Sequence, residues 1–557
     1  MTTRWTRVAA VPLALVLVGL PLLACSGDDD ADGSSSDEGD GSEPDDDAPA
    51  TTGPAEPVEP LRHGSFASLI PRPTELTPAE GELALVETTT ILVDGSAADI
   101  GGVAAAELLR GYLGPATGLD LPVAEGDGAG PTIRLTAAVD DPGLGDEGYE
   151  LVVDPDGVEV RAAGAAGFRW AVQTIRQLLA PEIESGAPQP GTFTVPAGTV
   201  RDVPRFAWRG AMLDVARHFF APEDVQRVID LLALYKLNRF HLHLTDDQGW
   251  RLQIEQHPEL TEVGAATEVD GGPGGFYTQE QYRQLVEYAA ARGIVVVPEI
   301  DVPGHTAAAL ASLPGLGCPG VPTSSVATGF SDGMSSLCAT ADADTTYAFM
   351  EDVVDEVAAL TPGPYIHLGA DEARATSPED YRRFLTRAAE IVRAAGRQPI
   401  GWDEIATAEL GPDTLVQYWM SVPNALAAAE QGASLIMSPA SRTYLDMKYD
   451  DSTPIGLTWA GTIDTRRAYE WDPATFVSGL PAGQILGVEA PLWTETVADL
   501  AQVEQMMLPR LPGYAEIGWS APEGRTWDEY GPRIAAHAAR WTAGGRDFTR
   551  DPVVPWL

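Results

Sequence analysis

The sequence predicts an α/β protein: a (β/α)8 barrel preceded by a small α+β domain. Two observations carry that expectation. From Pro204 onward eight short apolar runs recur, several of them separated by helical stretches. This is the rhythm of a parallel sheet wrapped by helices. The residues that follow each run gather carboxylates, histidines and tryptophans. Barrel enzymes collect their chemistry at those C-terminal strand ends.

The chain begins differently. Arg4 and Arg7 precede an apolar run at 8–23 that is broken by Pro12 and Pro21. A short basic region before a short apolar run reads as a signal peptide over 1–24, too short for a comfortable membrane span. The run ends Leu22-Leu23-Ala24-Cys25, which resembles the bacterial lipobox. That resemblance implies a lipidated Cys25 and an exported protein held at the outer face of the bacterial cell membrane. Residues 25–60 hold 13 acidic and no basic residues. They cannot bury enough apolar surface to offset their ordering entropy, so they are expected to be a disordered acidic tether.

The formal net charge of the 557-residue chain is −47. Beyond residue 60 the chain still carries 69 acidic against 33 basic residues. Nucleic acid and anionic membrane surfaces are excluded as partners, because both need a basic face. The membrane enters only through the lipid. At 44% hydrophobic residues the chain can still build a large core. Besides Cys25 only Cys318 and Cys338 occur. In an exported protein that pair predicts a disulfide, stabilising by about 3 kcal/mol on the chain-entropy model.

Residues 61–203 mix strand-like runs at 84–93, 132–136, 149–153 and 158–162 with helical stretches at 102–113 and 167–179. They form the expected α+β domain. No chemical cluster occurs there, which suggests a structural companion.

The barrel is expected over 204–557. Its strand candidates are 211–215, 239–244, 294–300, 365–369, 399–402, 414–418, 434–437 and 485–489. Helical stretches at 222–235, 278–292, 347–360 and 378–395 separate several of them. No glycine-rich nucleotide loop occurs in strand–turn–helix context, and no cofactor is implied.

Carboxylates interleaved with tryptophans suggest a carbohydrate. Sugar rings stack on aromatic faces, and their hydroxyls bond to carboxylates and arginine. Glycoside hydrolysis needs an acid to protonate the leaving oxygen and a second group on the other face of the ring. Asp371 and Glu372 are adjacent, so on an extended strand end they would point to opposite sides. They suit a division of labour in which Glu372 is the acid/base and Asp371 holds a substrate group that itself attacks the anomeric carbon.

Residues 204–520 resemble family 20 glycoside hydrolases, the β-N-acetylhexosaminidases. The resemblance rests on 209–219 (Arg-Gly-Ala-Met-Leu-Asp-Val-Ala-Arg-His-Phe), 241–251 (His-Leu-His-Leu-Thr-Asp-Asp-Gln-Gly-Trp-Arg), 299–305, 367–372, 401–404, 444–449 and 492–495. It implies exo-acting, retaining, substrate-assisted hydrolysis of terminal β-linked N-acetylglucosamine or N-acetylgalactosamine through an oxazolinium intermediate. Glu372 resembles the acid/base. Asp371 resembles the carboxylate on the acetamido nitrogen, and Tyr444 the donor to the acetamido oxygen. Trp402, Trp419 and Trp493 resemble the acetamido pocket walls, and Trp459 an aromatic platform under the ring. Arg209, with Asp446 and Glu495, resembles the clamp on the non-reducing-end hydroxyls. Asp246 and His305 resemble a support pair for Glu372.

Two other readings compete. His241 and His243 on one strand face could bind zinc, as in barrel amidohydrolases, but the later strand-end lysine such sites often need is missing. A sugar-binding surface lipoprotein without turnover would share the tether, yet would have no use for an intact Asp371 and Glu372.

Overall fold

The computed structural model describes residues 64–556 except 127, 129, 322–324, 331–333 and 412. The expected signal peptide, the tether and Cys25 lie outside the described residues. Among the described residues no helix is long and apolar enough to cross a membrane.

The first layer is a seven-stranded mixed sheet. Its strands are β1 (Glu75–Ala84), β2 (Thr90–Val93), β3 (Val123–Ala124), β4 (Thr132–Ala137), β5 (Tyr149–Asp154), β6 (Gly157–Ala162) and β7 (Thr194–Asp202). Their spatial order is β1-β7-β5-β6-β4-β2-β3. Helices Gly102–Thr117 and Ala165–Leu178 pack on it and on each other. The run expected at 84–93 is broken. Ala84 ends β1, and a turn in which Thr89 N and Oγ1 bond back to Val86 O and N intervenes before β2. Strand β7 was not foreseen, because Pro196 and Gly198 disfavour a strand in isolation. Burial explains it: Val195, Ala197 and Val200 are all in the core. Gly198 is required there, since a Cβ would strike the Phe66 ring and Thr77 O.

The second unit is a closed parallel barrel. It comprises β8 (Trp208–Asp214), β9 (Arg239–His243), β12 (Val295–Glu299), β13 (Tyr365–His367), β14 (Gln398–Trp402), β15 (Leu415–Tyr418), β16 (Ser434–Met437) and β17 (Ile485–Leu492). After β9 a small hairpin, β10 (Thr245–Asp246) and β11 (Gly249–Trp250), folds over the mouth. All eight expected strands are present, and β17 pairs with β8 to close the ring. Helix starts carry their expected signals: Pro222 and Pro378 open two helices, and Thr278 with Gln281 forms a capping box.

The barrel interior divides along its axis. Trp208, Val297, Ile400, Leu415 and Ile436 form a small apolar cluster. The buried polar residues His241, His243, His367, Gln417, Glu299 and Glu489 form a connected polar network, which Trp208 Nε1 joins at Glu489.

Sheet and barrel share buried charge. Lys236 Nζ lies 2.8 Å from both Asp202 Oδ2 and the Tyr149 hydroxyl, and Trp519 Nε1 donates to Asp202 Oδ1 at 2.7 Å.

Candidate active site

The mouth of the barrel holds a cavity of about 430 Å3 lined by Arg217, His305, Asp371, Glu372, Trp402, Trp419, Tyr444, Asp446, Trp459, Trp493 and Glu495, with Arg374 and Met420 completing the wall. Twelve of these thirteen stand in the loops beyond the strand ends, and the loop rule for barrels accounts for their convergence. Trp402 is the last residue of β14.

Beyond β8, Asp214 accepts the backbone N–H groups of Ala216 (2.8 Å) and Arg217 (3.1 Å). This turn carries Arg217 over the mouth. Its Nη2 meets Asp246 Oδ2 at 2.8 Å, and the guanidinium sits 4.9 Å from the Trp493 ring centre. Asp246 also receives His243 Nε2 at 2.9 Å on Oδ2 and His305 Nδ1 at 3.1 Å on Oδ1. Burial opposes protonation of His305, but Asp246 more than offsets it, and the ring is pushed up to about 9.

Asp371 and Glu372 follow β13, and here the structure corrects the expectation of opposite directions. The chain is not extended: Gly369, Ala370 and Glu372 all have positive φ. Gly369 cannot be replaced, because a Cβ would run into the Asp301 carboxylate. Both side chains therefore line the cavity. Asp371 Oδ2 lies 3.7 Å and Glu372 Oε2 4.0 Å from the same His305 Nε2. Burial raises Asp371 above the ordinary carboxylate range against the pull of His305. Arg374 Nη2 meets Glu372 Oε1 at 2.5 Å.

Trp402, Trp419, Tyr444 and Trp493 wall the cavity. Ring centres lie 5.8 Å apart for Trp402 and Trp493, and 6.3 Å apart for Tyr444 with each of Trp419 and Trp493. Trp402 Nε1 donates to Glu299 Oε1 and Trp419 Nε1 to Glu404 Oε2, both at 3.0 Å. Burial, then Asp371 and Asp446, hold the Tyr444 hydroxyl well above the ordinary phenol range, so it is a donor. Trp459 is 53% exposed and meets Trp419 and Tyr444 edge-on, so it stands at the rim. Asp446 and Glu495 are raised by burial, Asp446 also by the charge of Glu495. Asp446 Oδ1 and Oδ2, Glu495 Oε2 and Asp371 Oδ1 have no protein hydrogen-bond partner.

Arg209 is the one expected site residue that lies elsewhere. It sits at the start of β8, fully buried, with its guanidinium on Glu147, Phe206 O (2.8 Å) and Lys236 O (3.0 Å). At about 3.3 Å per residue a seven-residue strand separates its two ends by roughly 20 Å. Arg217, which falls in the same 209–219 stretch, takes the place at the cavity. Strand polarity was the available signal: Arg209 precedes the apolar run and Arg217 follows it. Arg374, Met420 and the Trp419 anchor Glu404 were also missed. Burial, Asp403 and Asp371 push Glu404 up to about 8.

Cys318 and Cys338 are bonded. The loop they close flanks the His305 turn, where Leu337 N donates to Pro303 O at 2.9 Å. As for a metal, ligand atoms of His243, Asp246 and Asp301 lie within 4.8 Å of one another. Both nitrogens of His243, however, meet carboxylate oxygens, Glu299 at 2.6 Å and Asp246 at 2.9 Å. Each must carry a proton, which leaves no lone pair for a metal.

Comparison with known proteins accords with this geometry. Residues 206–522 match the glycosyl hydrolase family 20 catalytic domain, and 67–203 match domain 2 of that family. A β-N-acetylhexosaminidase of Cellulomonas fimi is 45% identical, over 88% of this chain and 97% of its own. Among solved structures, the family 20 β-N-acetylhexosaminidase of Streptomyces coelicolor A3(2) superposes with a TM-score of 0.85 at 47% identity, covering 89% of this chain and all of that one. A mutant Streptomyces plicatus β-hexosaminidase in complex with its product GlcNAc gives 0.84 at 47% identity, with 90% and 100% covered.

Proposed function

Because the chain belongs to glycosyl hydrolase family 20, we propose that it is an exo-acting β-N-acetylhexosaminidase that removes terminal β-linked N-acetylhexosamine from glycans with retention of configuration. The observation that carries this is the set of unpartnered buried acceptors on Asp371, Asp446 and Glu495 inside one tryptophan-walled cavity. Buried acceptors without partners are costly, and sugar hydroxyl and amide donors satisfy them.

The steps follow from position. The acetamido carbonyl oxygen attacks C1 while the C1–O bond to the leaving group breaks, and Glu372 gives its proton to the departing oxygen. Asp371 accepts the acetamido N–H and balances the positive charge of the oxazolinium ion. Tyr444 donates to the carbonyl oxygen. Water then attacks C1, its proton passes to Glu372, and the acetamide re-forms. Trp402, Trp419 and Trp493 hold the acetamido group in attacking geometry. Arg217, Asp446 and Glu495 take the non-reducing-end hydroxyls, so no further sugar fits beyond them. Asp246 and His305 support the two reacting carboxylates.

The same reading includes an exported lipoprotein tethered by residues 25–60. The apolar run at 8–23 and the Ala24-Cys25 pair support it. Replacement of Cys25 by alanine is expected to release activity from the membrane fraction.

The function is tested with a chromogenic N-acetyl-β-glucosaminide and a thiazoline analogue of the cyclised intermediate. Steady hydrolysis with strong inhibition is expected. Binding without turnover, or turnover insensitive to the thiazoline, would overturn it.

A further inference from the structure

The geometry points to Glu299 as a positioning residue that couples the acetamido pocket to the proton-handling pair, holding Trp402 through one carboxylate oxygen and His243 through the other. It rests on the pocket and acid assignments above and goes beyond them, because Glu299 itself touches neither the cavity nor a reacting carboxylate.

Glu299 ends β12 and is fully buried. Its Oε1 accepts Trp402 Nε1 at 3.0 Å. Its Oε2 accepts His243 Nδ1 at 2.6 Å. From His243 the contacts run unbroken: His243 Nε2 to Asp246 Oδ2, 2.9 Å, then Asp246 Oδ1 to His305 Nδ1, 3.1 Å. His305 Nε2 faces Asp371 and Glu372. One carboxylate thus fixes the ring of an acetamido wall and the first link of the chain that orients His305.

A carboxylate used only to hold the fold would need no such split. A buried charge costs more than an apolar residue of the same shape unless it is fully compensated. Here the compensation is divided between two arms that serve different halves of the reaction. His241 Nε2, 2.9 Å from Oε2, adds a second cation. His367 Nδ1, 3.0 Å from the Gly369 N–H, also lies 3.2 Å from Oε1 and stands beside Trp402 on that arm. Among the described residues no hydrogen bond joins His243 directly to Trp402, so Glu299 is their hydrogen-bonded link, beside the Trp493 ring that packs against both at 4.9 Å and 5.8 Å between centres.

The experiment uses the full-length enzyme and separates the arms. Pocket integrity is read as the inhibition constant of the thiazoline, and acid function as the loss of kcat with poor relative to good aryl leaving groups. Trp402→Phe removes the donor to Oε1 and is expected to weaken the thiazoline roughly tenfold while sparing the leaving-group dependence. His243→Gln is expected to do the reverse. Glu299→Gln is expected to impair both, each about tenfold or more. Glu299→Gln that alters only one readout, or lowers kcat with neither readout changed, overturns the coupling. If Glu299→Gln does not fold, the double-mutant cycle between Trp402→Phe and His243→Gln decides. Coupling predicts a non-additive effect on kcat/KM of about fivefold or more, and additivity within about twofold overturns it. A failure of the wild-type enzyme to bind the thiazoline would instead undo the proposed function.

Discussion

His305 turns Nδ1 to Asp246 Oδ1 at 3.1 Å, and that one contact aims its Nε2 at Asp371. The ring is buried, so without the carboxylate it would be neutral. With it, a cation faces Asp371 and Glu372, of which Glu372 alternates between acid and base during turnover.

The pH profile is expected to report this pair. His305 is pushed up to about 9, so kcat/KM should fall as the pH rises through that region and the cation is lost. Asp246→Asn removes the charge that raises the ring and leaves burial, which lowers it. The alkaline limb should therefore move to lower pH by about one unit or more. An unmoved limb counts against His305 as the group that titrates.

Arg209, at the start of the first barrel strand, and Arg217, in the turn beyond its end, are expected to fail differently. Arg217→Ala should lower kcat/KM roughly 100-fold or more, because charged hydrogen bonds in a closed site are lost. Arg209→Met should leave KM unchanged and lower the melting temperature. It takes the cation from the part-buried Glu147, which keeps Trp170 Nε1 and the Asn238 amide as partners, and losing such a charged hydrogen bond costs about 1–3 kcal/mol. Glu147→Gln in the Arg209→Met background should recover part of that loss. Steady-state kinetics with calorimetry separates the cases.

The division between the adjacent carboxylates has its own signature. Glu372→Gln should lose turnover most with poor leaving groups, which need protonation, by about 10²–10⁴-fold. Asp371→Asn should lose it with good and poor leaving groups alike. If Asp371→Asn stayed near wild type on any aryl substrate, the acetamido group would not be the nucleophile.

Stability should fall at alkaline pH for a traceable reason. Burial opposes the charges of His241 and His243, but Glu299 and the other facing carboxylates push these rings up to about 9 and about 10. Raised histidines contribute fully below the unfolded value near 6.5 and cease to contribute as pH passes 9–10. The lowered carboxylates Glu299 and Asp246 contribute in full throughout this range and lose their contribution only as the pH falls into the acid region. The melting temperature should therefore decline between about pH 6.5 and 10, and His243→Gln should flatten that decline.

The barrel was legible because its signals are local. Each apolar run is a buried strand, each cap a short-range hydrogen bond, and Trp402, Tyr444, Asp371 and Glu372 stand just beyond or at recognisable strand ends. Strand β7 was hidden by Pro196 and Gly198, whose local preferences the surrounding core overrides.

The sequence by itself determined the fold class and the eight strands in order, because strand periodicity is a property of short stretches of chain, and its resemblance to family 20 implied ten of the thirteen cavity residues. Only the tertiary structure decided which arginine serves the cavity, that Asp371 and Glu372 turn to the same side, and that Glu299 joins a pocket wall to His243. Each of these depends on which end of a strand a residue occupies, on a few left-handed backbone angles, or on contacts between residues up to about a hundred positions apart. Spacing along the chain carries no record of such relations; they are settled when the barrel closes and each buried charge finds its counterpart.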